Sequence, residues 1–442
     1  MIVSKFGGTS IGTFDAMQHS AEIVSSDSNR RLIVISATSG TTNDLVALGS
    51  SELDSTSQEE IVIRIKERHM TIINQLENDE IAEREFKEEL TQLRQHLDLV
   101  ARDKRWKDQL VSFGEMMSTK IFIHVLRENG VDAAWLDARE IMKTDSHFGN
   151  ATPELSIIKK KADKYLKSNK VVLTQGFIGS DVFGNTTTLG RGGSDFSAAL
   201  FAEAVKAETL EIWTDVAGIF STDPRIVKEA CSINEITFDE AAELSVFGGK
   251  VLHPATLKPA IRGGVKVRVA STNEPEKPGT LIVQQCGEKP VIRAISLRKN
   301  QTLLTVKSLE MLHQYGFLAR LFQVLANHKI SVDLVSTSEV SVSLTLDTAV
   351  NAANKVELTS DIVNELKEFC EVRIEKDFAL IALIGNNLNK TAGISGTLFN
   401  KLRDFNIRMV CHGASENNVC FLADEKDGEG IVKLLHKEFI EL

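Results

Sequence analysis

MIVSKFGGTS, Met1 to Ser10, sets the reading of the fold. Ile2 to Phe6 is a short apolar run with the β-branched bias of a strand, Gly7 and Gly8 interrupt it, and a helical pattern follows from near Phe14 to Ser25. LIVIS, Leu32 to Ser36, is the strand of the next unit. Alternation of this kind predicts an α/β architecture on a largely parallel sheet. Ala134 to Leu136, Val171 to Gln175 and Glu211 to Thr214 continue it. Each runs into Gly, Thr, Asp or Ser at its carboxyl end, where ligand loops belong in such sheets. Between Gly49 and Gly114 there is neither Gly nor Pro, and Glu59 to Asp98 is charged, with Ile61, Ile65, Ile72 and Leu76 at helical spacing. One or two long covering helices, solvated on the outside, are expected there.

The 442 residues leave room for two or three cores, since a domain usually takes roughly 100 to 200 residues. A net charge of −10, from 51 Lys+Arg against 61 Asp+Glu, argues against a nucleic-acid-binding surface. Cys231, Cys286, Cys370, Cys411 and Cys420 form no CxxC pair and are too sparse for a disulfide scaffold, which suits a reducing cytoplasm. The amino terminus turns glycine-rich too soon to be a secretory signal. No apolar run approaches the ~20 residues that cross a bilayer. The expected protein is cytoplasmic, with no membrane partner.

Two loops carry the chemistry. In KFGGTS, Gly7 and Gly8 let backbone N–H groups approach an anion, Lys5 adds a point charge, and Ser10 or Thr13 is available to cap the following helix. GxxxxGK[ST] is absent, and a Gly-Gly turn alone is equally a tight turn. GRGGSD, Gly190 to Asp195, is a second such turn. Arg191 offers a planar fork for a carboxylate, and Gly192, Gly193 and Ser194 offer N–H groups. Two loops of this kind on one sheet favour function over ordinary turns. In WTDVAGIFSTDPR, Trp213 to Arg225, Thr214 and Asp215 end a strand, and Asp223 and Arg225 flank Pro224, as in a nucleotide pocket or a plain Asp-Pro turn. FGGKVLHP, Phe247 to Pro254, sets Lys250 behind another glycine pair, within reach of a polyphosphate or simply on the surface. Glu115 of SFGE is either a helix-exposed charge or a contact for an ammonium group; chemistry alone leaves it open.

Asn273 to Pro290 holds three of the seven prolines and is the best linker candidate. Beyond it two similar βαββα units follow, one from QTLLTVKS at Gln301 to CEVRIEK at Cys370, the other from FALIALIGN at Phe378 to GIVKLLHKEFIE at Gly430. The second is one strand short, and an open sheet position is a liability. VIRAISL, Val291 to Leu297, is the nearest unused strand, so the units are expected to be interleaved.

KFGGTS, SFGE, TQGFIG, TTTLGRGGSD, WTDVAGIFSTDPR and FGGKVLHPAT, in this order, resemble aspartate kinases of the amino-acid kinase fold. The tail from Met311 to Asp347 is similar to the monofunctional, lysine-sensitive type with paired ACT domains. The resemblance implies a mostly parallel, helix-sandwiched catalytic domain over residues 1–288. A regulatory region over 289–442 would follow, its first ACT domain at about 300–376 and its second at about 377–442 plus strand 291–297. It implies ATP-dependent phosphorylation of the β-carboxylate of L-aspartate, the first step of aspartate-family biosynthesis, with feedback inhibition by lysine. Thr42, Glu115, Phe177, Arg191, Ser194 and Asp195 would line the aspartate site, Arg191 gripping the α-carboxylate. Lys5, Gly7 and Gly8 would hold the transferring phosphoryl. Thr214, Asp215, Phe220, Asp223, Arg225 and Lys250 would meet ATP, although Phe220 stands where relatives often carry tyrosine. Met311, Gly316, Phe317, Leu318, Asp333, Ser338 and Glu339 would form the lysine pocket. Magnesium would arrive with ATP, without protein side-chain ligands, and the chain would form a homodimer or higher oligomer through its ACT domains. A carboxylate with a pKa of ~3.9 is already ionised at neutral pH, so no general base is needed. Kinases for other small acids, or a non-catalytic amino-acid sensor, fit fewer of these motifs.

Overall fold

β1 (Ile2–Phe6) is buried along almost its whole length, and it forms the centre of an eight-stranded sheet. Its neighbours are β2 (Arg30–Ile35) on one side, with β4 (Val171–Gln175) and β3 (Ala133–Leu136) beyond it. On the other side lie β7 (Thr209–Thr214), β9 (Lys266–Ser271), β10 (Thr280–Val283) and β8 (Glu235–Thr237). All pairings are parallel except β9 with β10. A separate hairpin joins β5 (Ile178–Ser180) to β6 (Thr186–Thr188). The computed structural model describes residues 1–50, 53–100, 103–165, 170–248, 252, 254–312, 315–346 and 358–441. They group into two compact units, the first made of 1–219, 232–238 and 250–286, the second of 220–231, 239–249 and 287–442.

Thr13, rather than Ser10, caps the first helix, Phe14–Ser25, its Oγ1 accepting the Ala16 N–H at 3.2 Å. Such a cap is worth about 1 kcal/mol. Three long helices follow β2, at Ser55–Ile73, Asp79–Val100 and Lys104–Glu128. Their inner stripes, including Ile65, Ile72, Phe86 and Leu93, belong to the main core. Asn273 to Pro290 is more than a linker. Gly279, at φ +70°, turns the chain so that β10 runs back along β9.

The second unit contains one six-stranded antiparallel sheet, ordered β12, β13, β11, β14, β16, β15. These strands are β11 (Ile292–Lys307), β12 (Val332–Thr337), β13 (Ser341–Leu346), β14 (Glu371–Gly385), β15 (Ile407–His412) and β16 (Asn418–Asp424). β11 and β14 each serve both halves: Ile292 to Arg298 pair with Leu380 to Gly385, and Leu303 to Lys307 with Glu371 to Glu375. The two α+β units are therefore interleaved. Asn300 and Asp377, both at positive φ, mark the register shift between the halves. Val227 lies in the core of the second half, beside Phe421 and Leu435.

Candidate active site

In the strand order the chain switches sides at β1, with β2 to one side and β7 to the other, and such switch points are where α/β sheets open a ligand crevice. The Gly7 N–H donates to Trp213 O across it at 3.1 Å. Gly8 O accepts the Ser39 N–H at 3.1 Å, and a Cβ on Gly8 would lie 2.8 Å from Ala37 O. Any other residue there would push the loops after β1 and β2 apart.

Lys5 Nζ is 2.6 Å from Asp195 Oδ1, and both side chains are largely buried. Asp195 sits in the first turn of the Gly193–Ala204 helix, which starts after Gly192 at φ +67°. The two anion loops are thus joined by an ion pair, with a helix N-terminus beside it favouring negative charge. Ser194 lies half-buried in that turn and Arg191 is exposed just before it. Phe177, after β4, has φ +66°, unusual for a bulky side chain. Its N–H donates to Ser197 Oγ at 2.9 Å and its carbonyl accepts the Leu189 N–H at 2.9 Å, so the strained turn is pinned to the loop after β6.

Glu115 is 3% exposed although it stands in the middle of a long helix. A helical glycine costs about 1 kcal/mol against alanine. Gly114 has its reason, because a Cβ there would come 2.8 Å from the Ala37 Cβ. The close approach lets Glu115 Oε1 accept the Ala37 N–H at 3.2 Å, leaving Oε2 buried without a hydrogen-bond partner among the described residues. Burial pushes the carboxyl up to about 8, against the opposing pull of the Ala37 N–H and Lys5. A buried acceptor of this kind is suited to a cationic ligand group. Thr42 is half-buried in the first turn of the Thr41–Leu48 helix.

Several positioning residues were not visible in sequence. His69, expected on a merely solvated helix, is fully buried, its Nε2 2.9 Å from Thr38 Oγ1, which is 2.7 Å from Thr41 Oγ1. Arg68 donates to Thr41 Oγ1 at 3.0 Å and to Asp44 at 2.8 Å. This chain of bonds fixes the loop after β2. Asp108, 4% exposed, accepts the Gly149 and Thr188 N–H groups at 2.9 and 2.7 Å and anchors the approach to Gly190. Nothing in spacing separates such residues from ordinary helix-surface charges.

Thr214 ends β7 in the first unit, its hydroxyl donating to Asp215 at 3.1 Å. Phe220, Asp223 and Arg225 belong to the second unit. Arg225 grips Asp223 at 2.6 Å and holds its carboxyl below the usual range. In the same segment Ser221 Oγ lies 2.9 Å from His436 Nε2, and Ser221 O accepts the Ile295 N–H at 2.7 Å. Lys250 lies outside the described residues.

In the second unit, Gly316 at φ +92° opens the Phe317–Asn327 helix. Met311 and Phe317 pack on the first half's core, Phe317 edge-on to Phe369, whereas Leu318 is 42% exposed. Asp333 is held by Arg298 at 2.9 Å, and Ser338 and Glu339 face solvent. Among the described residues no cluster of three metal-ligating side chains occurs, and no helix is long and apolar enough to cross a membrane.

A switch point that gathers a buried lysine, a helix start and glycine loops suits a phosphotransferase for small molecules. Residues 1–271 match the amino acid kinase family, and residues 304–355 and 381–439 match the ACT domain. The lysine-sensitive aspartokinase 3 of Escherichia coli (strain K12) is 48% identical over 451 aligned residues, covering 100% of this chain and 99% of the relative. The crystal structure of E. coli aspartokinase III with lysine and aspartate (T-state) superposes with a TM-score of 0.89 at 47% identity, covering 100% of this chain and 99% of that one. The same enzyme with aspartate and ADP (R-state) gives 0.87 at 47% identity, covering 99% of each chain. The chain belongs to the aspartokinases of the amino acid kinase family.

Proposed function

We propose that this kinase transfers the γ-phosphoryl of ATP to the β-carboxylate of L-aspartate, giving 4-phospho-L-aspartate, and that lysine inhibits it. The Lys5–Asp195 ion pair carries this reading, because it sets a cation and a helix start where an anion must meet a polyanion. The nucleophile is ionised at neutral pH, so the barrier is charge repulsion and alignment rather than proton removal. Lys5 and the Gly8 N–H would neutralise the phosphoryl, while Gly7, its own N–H bonded to Trp213 O, would let the group approach the backbone closely. Arg191 would grip the α-carboxylate, Glu115 the α-ammonium, and Thr42, Phe177, Ser194 and Asp195 the rest of the substrate. Thr214, Asp215, Phe220, Asp223, Arg225 and Lys250 are the proposed nucleotide contacts. Magnesium would enter with ATP, held by phosphate oxygens and water.

For regulation, Met311, Gly316, Phe317, Leu318, Asp333, Ser338 and Glu339 are the proposed lysine site. The ligand's ammonium would compete with Arg298 for Asp333. Residues 1–288 would act as the catalytic domain and 289–442 as the regulatory region, with ACT domains at about 300–376 and at 377–442 plus strand 291–297. Segments 220–231 and 239–249 nevertheless fold with the regulatory sheet. We further propose a cytoplasmic homo-oligomer formed through the ACT domains.

Lys5→Ala tests the catalytic assignment. Loss of a preorganised charge at the reacting group should cost about 10²- to 10³-fold in kcat, with circular dichroism unchanged. Near-normal kcat in a folded variant would sink it.

A further inference from the structure

Cys411 on β15 and Cys420 on β16 are direct partners in the antiparallel register. Side chains at such positions emerge on the same face, with Cα atoms about 4.5 or 5.5 Å apart, inside the span a disulfide bridges. Neither thiol belongs to the proposed aspartate, nucleotide or lysine sites. Cys420 is 1% exposed, its Sγ 3.7 Å from Cys411 O, whereas Cys411 is half-buried on the sheet's last strand, its Sγ 3.9 Å from Val335 O.

We propose that Cys411 and Cys420 form a thiol-modification site, closing to an intrachain disulfide on exposure to hydrogen peroxide. Cys411 is the attacking thiol. The neighbouring Cys420 S–H holds it below the ordinary thiol range against the effect of burial, while its hydrogen bond to Cys411, together with burial, pushes Cys420 up. The Cys411 thiolate attacks one peroxide oxygen, the O–O bond breaks, and the leaving oxygen departs as water, giving a sulfenic acid. The Cys420 sulfur then attacks the Cys411 sulfur, the S–O bond breaks, and a second water leaves. Two thiols lose two protons and two electrons, which reduce one hydrogen peroxide to two waters. A dithiol reductant reverses the bond.

The bond would clamp the edge strand and close the segment from Cys411 to Cys420, which holds Ser415 and Asn418. Those side chains donate to Glu243 at 2.6 and 2.7 Å, so the staple would reach the Phe238–Phe247 helix.

Trypsin cleaves after Arg408 and Lys426, leaving both cysteines on one peptide, Met409 to Lys426. The full chain would be reduced, desalted, treated with hydrogen peroxide, alkylated with iodoacetamide and digested. The expected result is a 409–426 peptide lighter by two hydrogens and closed to alkylation at both cysteines, restored by dithiothreitol. Cys411→Ser and Cys420→Ala should each abolish that species. Full alkylation of both cysteines after a dose that oxidises the exposed Cys231 would overturn the proposal. So would added oxygen at Cys411 in place of lost hydrogens. The wild-type readout needs no variant, so a misfolded substitution does not blunt it.

Discussion

Glu115 gives the sharpest handle on substrate recognition. Its carboxyl, pushed up to about 8 by burial, has one oxygen on the Ala37 N–H and the other without a partner among the described residues. At pH 7 about one free enzyme molecule in ten then carries the charge, each pH unit being a factor of ten. An α-ammonium docked on Oε2 would favour the ionised form, so aspartate binding should release about 0.9 proton per site at pH 7. Its Kd should fall about ninefold from pH 6 to pH 7, about fivefold more to pH 8, and less than about twofold beyond. Isothermal titration calorimetry of aspartate in two buffers of different ionisation enthalpy reads the slope and the proton count together. Glu115→Gln keeps the shape and should abolish both. In the ligand-free protein a raised carboxyl pKa stabilises the fold below pH 4.5, its ordinary value. That contribution, up to about 5 kcal/mol, is lost as pH rises toward 8. A wild-type Kd that is flat from pH 6 to pH 8, or a Glu115→Gln variant with the wild-type slope, refutes the assignment of Glu115 to the ammonium.

His69 should make the fold acid-sensitive. Burial holds its imidazole down to about 4 from an ordinary 6.5. The unfolded chain therefore binds the proton more readily, and stability present above pH 6.5 drops by up to about 3 kcal/mol as pH falls toward 4. His69→Gln should flatten that part of the urea-denaturation profile; an unchanged slope contradicts the account. Ser221→Ala removes the hydroxyl that lies against His436 and accepts the Cys231 N–H. If that bond positions Asp223 and Arg225, the Kd for ADP should rise by about fivefold, the worth of one hydrogen bond, while that for aspartate stays put. Equal shifts in both ligands, or none, contradict it.

The glycine loops were legible because their chemistry is local: Lys5, Gly7 and Gly8 follow a strand within a few residues, and so does GRGGSD after TTT. The missing strand was legible because a βαββα unit that ends on a helix needs a donor, and Ile292 to Arg298 indeed pair with β14. What stayed hidden depends on contacts between distant segments. His69 looked like any helix position, yet Thr38 and Phe86 enclose it. Glu115 was undecided because its burial is set by Gly114 packing on Ala37. Asn273 to Pro290 read as a linker from its prolines, although Thr280 to Val283 pair on both sides with β9 and β8. Phe220 to Cys231 follow β7 in sequence, but Val227 packs on the six-stranded sheet of the second unit and Ser221 bonds to its last helix.

One measurement tests the carboxylate kinase and the lysine sensor together. Purified protein, ATP, magnesium and L-aspartate are incubated with hydroxylamine, which traps an acyl phosphate as aspartyl hydroxamate, with and without lysine. The account predicts hydroxamate that requires ATP and aspartate and is suppressed by lysine. No hydroxamate from a folded protein contradicts the kinase assignment, and hydroxamate indifferent to lysine contradicts the sensor.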